Sequence, residues 1–158
     1  MDQANASIMK TLARPETEHS VKSLSGETMN FRIMHWKPTT VFARIPIVGK
    51  YFAVPMSMLV GTKPEDTDLA EVIPVALVQL FNTMEENDLV AFIHMLLDGV
   101  YYNNQLVNDN FDTVFQGKVD VVVDLITKVI EINYGPFFKT GFTNLMTSLL
   151  PVVNLSKA

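Results

Sequence analysis

The chain has 158 residues, 48% of them hydrophobic and 18% charged, with no cysteine and a formal net charge of −5. That length fits one domain with a sizeable core, and the missing cysteine excludes disulfides, cysteine nucleophiles and thiolate metal sites. Through Lys63, eight basic residues face four acidic ones, a contribution of +4; beyond it four face thirteen, a contribution of −9. Such polarity either favours head-to-tail self-association or belongs to an ordinary solvated surface.

The start, "MDQANASIMK", lacks the basic-then-apolar pattern of a secretory signal. Residues 1 to 26 are polar, rich in Ser, Thr and Glu, and end at Gly26, which reads as a loosely held arm. "MNFRIMHW" then alternates Met29, Phe31, Ile33 and His35 against Asn30, Arg32, Met34 and Trp36, the pattern of a short strand. Pro38 suits a first helical turn, while Pro46, Gly49 and Pro55 predict two short helices up to Gly61, because proline removes a donor and clashes with the preceding turn. The run "YFAVPMSMLVG" is interrupted by Pro55 and falls short of the ~20 residues a bilayer requires, so no spanning helix is expected.

Glu65, Asp66, Asp68 and Glu71 mark a helix N-terminus, where the macrodipole favours carboxylates. Pro74 should kink that helix. Thr83 and Glu86 have capping-box spacing, predicting a helix from about Met84 to Asp98 that Gly99 ends. Asn103-Asn104, flanked by apolar runs, reads as a two-residue hairpin turn. Asp109 can cap a short helix through Phe115, and Gly117 punctuates it. A long helix then begins near Lys118, and a last one is predicted from about Pro136 to Leu150.

From Val119 to Tyr134 the polar residues Asp120, Asp124, Lys128 and Glu131 recur at four, four and three, one narrow stripe on a 3.6-residue helix. The rest of that helix is apolar, which requires burial on several sides. Asp124 and Lys128 have the order of an i,i+4 pair, worth only ~0.3–0.5 kcal/mol. The predicted architecture is a mainly α, compact multi-helix single domain over residues 27–158, with a short β-hairpin or strand and a flexible arm over residues 1–26.

"NNQLVNDNFDTVFQGKVDVVVDLITKVIEINYGPFF" resembles the C-terminal signature of the tail assembly chaperones of long-tailed bacteriophages and related prophages. In that signature a hairpin precedes a phenylalanine-and-glycine junction, matched by Phe111, Phe115 and Gly117, and a hydrophobic helix whose end is matched by Val129, Glu131, Asn133, Tyr134, Phe137 and Phe138. The resemblance implies a small, mainly helical, non-enzymatic protein made in the host cytoplasm. Its implied partners are the tape measure protein, kept soluble until the tube polymerises, and the tail tube protein, with self-association around the tape measure. It also implies that the 158 residues would be the shorter of two products, the longer arising by frameshift.

Nine Met and ten Phe suit a surface that adapts to varied apolar helices, although most such residues belong in a core. The candidate protein-binding residues are Trp36, Phe111, Phe115, Phe137 and Phe138. For Trp36 the competing reading is a packing plug. Asn133 reads as a cap at the junction of the last two helices.

His94 and Asp98 share a helix face at i,i+4, but a lone His in "VAFIHMLLDGV" reads as a hydrogen-bonded residue rather than a metal ligand. No Ser or Thr sits in a glycine-framed nucleophile turn, and the scattered glycines form no phosphate cradle. Neither enzyme chemistry nor a cofactor or metal is expected. The spaced basic residues likewise give no nucleic-acid platform. The leading functional expectation is a tail assembly chaperone. The alternatives are a structural tail subunit retained in the virion and a small-ligand or lipid-binding helical protein.

Overall fold

A computed structural model describes residues 14–60 and 68–140, excluding the side chains of 53–60, 69 and 136–140. Two strands come first, β1 (Glu16–Lys22) and β2 (Thr28–Met34). Helices α1 (Pro38–Val60), α2 (Leu69–Thr83) and α3 (Glu86–Leu96) follow. A small hairpin, β3 (Val100–Tyr102) and β4 (Gln105–Leu106), leads through a single 3₁₀ turn, Val107–Asp109, to α4 (Phe111–Phe115) and α5 (Val119–Thr140).

The mainly α expectation is corrected here to a mixed α/β architecture. The four strands form one antiparallel sheet in the order β1-β2-β3-β4. β1 lies inside the segment read as an arm, whose residues 1–13 fall outside the described residues. "ETEHSVK" carries one aliphatic residue, Val21, too little to give a two-residue hydrophobic period. Its pairing instead follows from β2, which buries Met29, Phe31 and Ile33 on one face. The five residues between the strands close through Ser23 N–H to Glu27 O (2.8 Å) and Gly26 N–H to Ser23 O (2.9 Å), with Gly26 at φ +92°. That left-handed conformation suits glycine.

The same face meets α5, the core of the molecule. Val121, Leu125, Ile126, Val129, Ile130 and Tyr134 are fully buried, as the apolar circumference predicts. The polar stripe seats the β1–β2 hairpin. The Leu24 amide donates to Asp120 Oδ2 (2.8 Å), His19 Nε2 meets Asp124 Oδ1 (2.5 Å) and Lys118 pairs with Glu27 (2.6 Å). The expected Asp124–Lys128 pair is therefore replaced: Asp124 turns to the hairpin, and Lys128 lies 3.7 Å from Glu131.

Where two short helices were expected before Gly61, α1 is continuous through Pro46 and Pro55. Val41, Val48 and Phe52 are buried on one stripe, with Ile45 packed beside them. Keeping that stripe on one rod outweighs the ~3 kcal/mol that each interior proline costs. Similarly, α5 runs through Pro136 to Thr140, so no helix begins at Pro136; residues 141–150 of the predicted last helix lie outside the described ones.

Asp68 caps α2 by accepting from Ala70 N–H at 3.0 Å, and Pro74 lies inside that helix; Glu65 and Asp66 fall outside the described residues. The capping box does not form. Thr83 Oγ1 donates back to Leu80 O (3.1 Å), and α3 starts at Glu86 without a side-chain cap. The Asn103-Asn104 turn forms as read, at φ 50° and 62°.

Candidate functional site

An apolar cleft of about 550 Å³ opens where α4 turns into α5. Its walls come from Phe81 at the end of α2, Ile93 of α3, Phe111 and Phe115 of α4, and Val119 and Val123 of α5. Gly117, at φ +72°, makes the turn, and Lys118 N–H closes it on Phe115 O at 2.8 Å. Nothing lies within 4 Å of where a Cβ would project from Gly117, so the requirement for glycine is conformational rather than steric.

The two phenylalanines have different duties. Phe115, buried, stacks on Phe31 of the sheet with centroids 6.1 Å apart and forms the floor; Phe111, half-buried, tilts against Phe115 at 5.0 Å and against the His94 ring at 4.7 Å. His94 is itself locked to Asn108: Nδ1 meets Asn108 Oδ1 at 3.0 Å, and Asn108 Nδ2 donates to His94 O at 2.8 Å. Asp98 instead pairs with Arg44 at 2.9 Å. His94 and Asp98 thus engage different partners, and among the described residues there is no group of three or more His, Asp or Glu that could hold a metal ion.

The rim is exposed and apolar. Val119, on the cleft wall, is 67% exposed. Asp112 and Gln116 are the polar residues among the cleft walls. A large apolar opening with few polar groups binds by burial rather than by directed hydrogen bonds. A shallower groove of about 430 Å³ separates α1 from α3, but Lys50 and Asp88 interrupt it.

Of the residues singled out from sequence, the structure brings Phe111 and Phe115 together in the cleft. Trp36 lies elsewhere, in the core. It is 5% exposed, donates from Nε1 to Asp98 O (3.1 Å), meets Tyr134 edge-on at 5.9 Å and carries the Arg44 guanidinium 4.4 Å above its ring. Phe137 and Phe138 fall in α5, but their side chains are outside the described ones. Phe81, Ile93, Val119 and Val123 were not singled out. An α5 apolar around most of its circumference gives no signal that Val119 is left uncovered.

Asn133 is not a junction cap. Buried in α5, it accepts from the Trp36 backbone N–H (3.0 Å) through Oδ1 and donates to Val129 O (2.9 Å), latching the end of β2 to the central helix. Asn133→Leu strands the Trp36 amide, and a buried unsatisfied donor costs about 1–3 kcal/mol. A denaturant melt should show that loss as a lower midpoint with unchanged slope.

Tyr134 donates to Val41 O at 2.9 Å and ties α1 to α5. Burial raises its phenol pKa from 10.0 to about 12, against the opposing pull of the Arg44 guanidinium. The folded state therefore holds the proton more tightly than the unfolded chain. Its contribution to stability is complete below pH 10 and is lost as pH rises towards 12. Melting temperatures across that window should fall in the wild type and fall less in Tyr134→Phe.

The described helices include none long and apolar enough to cross a membrane. The cleft leaves apolar surface open on an α/β domain, the kind of surface on which another chain or an apolar ligand can be buried. The family model described as phage tail assembly chaperone protein, TAC, matches residues 26–145, and the chain belongs to that family. Its partners are accordingly phage tail proteins. No curated protein and no solved structure matches the chain.

Proposed function

We propose that this chaperone binds and solubilises the tape measure protein in the host cytoplasm, without catalytic chemistry of its own, and helps recruit tail tube subunits as the tube grows. The observation that supports this most is the cleft at the α4–α5 turn, whose Phe and Val walls and exposed Val119 rim suit the apolar stripe of a helix. Helix-in-groove binding uses such i, i+3 and i+4 anchors and tolerates varied sequence, which a long, aggregation-prone helical client requires.

Co-expression of the chaperone with the tape measure protein of its own phage tests the proposal. The tape measure should move from the pellet to the soluble fraction, and an unchanged distribution would refute solubilisation. The alternative, a structural subunit that stays in the tail, separates by mass spectrometry of purified virions. An assembly chaperone is missing from them.

A further inference from the structure

We infer that β1 is a self-pairing edge through which two copies of this chain join their sheets about a two-fold axis. The sheet has unequal edges. β4 is two residues long and passes directly into the 3₁₀ turn, whereas β1 is seven residues long, and among the described residues no strand pairs with its outer side. A long open edge presents unpaired N–H and C=O groups and is a template for another strand.

The register identifies which groups those are. Pro15 O accepts from His35 N–H (2.9 Å) and Ser23 N–H donates to Glu27 O (2.8 Å), at the two ends of the β1–β2 ladder. Hydrogen-bonded pairs recur at every second residue of an antiparallel ladder, so Thr17, His19 and Val21 face β2. Glu16, Glu18, Ser20 and Lys22 direct their backbone groups outward.

A second copy of "ETEHSVK" can meet those four residues in antiparallel register with Glu16 opposite Lys22 of the second copy, Glu18 opposite its Ser20, and His19 on the axis. Every outward group then finds a partner, and each end of the ladder carries opposite charges on the exposed side-chain face. Shifting the register by two residues in one direction sets Glu18 against its own copy; the other direction removes Glu16 from the ladder. Charge complementarity thus favours a second copy, and the length of the ladder selects this register over the shorter one that would set Glu18 opposite Lys22. Lys22 has no ion pair among the described residues, and Glu16 has only a 3.5 Å contact with Arg32 Nε that is not a hydrogen bond. The contact is isologous and closes on itself, unlike the head-to-tail association that charge polarity alone suggests. It uses the sheet edge and is independent of the cleft.

Sedimentation equilibrium of the full chain at about 100 µM, a concentration suited to a small interface, should find a dimer. Glu16→Lys and Lys22→Glu each set two like-charge pairs into the ladder and should weaken the dimer roughly tenfold. The double variant swaps the charges and should restore it. Glu18→Pro removes only an outward donor, a substitution that edge strands tolerate, and should leave a monomer with wild-type circular dichroism and melting temperature. A monomeric wild type, a dimer indifferent to Glu18→Pro, or a double variant as weak as the single ones would overturn the inference.

Discussion

Replacing Ile126 with aspartate should abolish the cooperative melt. Ile126 is fully buried on α5, among Val122, Leu125, Val129 and Ile130. Loss of its burial removes about 1.5–3 kcal/mol. The carboxylate must then either be desolvated, at several kcal/mol, or hold its proton. Domains have only about 5–15 kcal/mol in total, so the two terms together consume most of the stability. Ile126→Val should cost only about 0.5–1.5 kcal/mol. The pair separates burial from mere substitution when both are followed by near-UV circular dichroism and thermal melts. A cooperative Ile126→Asp melt near the wild-type midpoint would mean that α5 is not the core.

Val119→Lys should have the opposite profile, a folded protein that no longer holds its client. At 67% exposed, Val119 contributes little to the fold, and surface changes of this kind stay within about 0.5 kcal/mol. Yet it lies on the cleft wall beside Phe111 and Phe115. Any apolar helix seated there would have to desolvate the new ammonium, so binding should fall by at least roughly tenfold, the scale of losing one anchor residue at the centre of an interface. Co-purification with a tagged tape measure fragment, alongside a melt of the variant alone, reads both effects. Lysine at exposed Asn104, in the β3–β4 turn, is the matched control and should leave the client bound.

The two variants also mark what the sequence made legible. Burial of α5 could be read because its polar residues form one stripe, and the hairpin because Asn103-Asn104 tolerates positive φ. β1 could not, since Glu16, Glu18 and Lys22 conceal a strand whose only buried apolar side chain is Val21. The continuity of α1 was hidden by Pro46 and Pro55, whose local cost is plain while the compensating stripe of Val41, Val48 and Phe52 exists only in the folded molecule. Half of the cleft was visible, as the Phe111–Phe115–Gly117 junction. The other half, Phe81 and Ile93, comes from helices that reach the junction only through tertiary packing. Trp36 illustrates the converse, a residue with the chemistry of an anchor that the fold places against Tyr134 instead.

The most direct test that the cleft is the client-binding surface is photo-crosslinking in the co-expressed complex, with a crosslinking amino acid at position 119 on the cleft wall or at position 104 in the β3–β4 turn. Client seated at the α4–α5 turn would give an adduct between position 119 and the tape measure protein, and none from position 104. Adducts from position 104 alone, with the tape measure still soluble and bound, would contradict it.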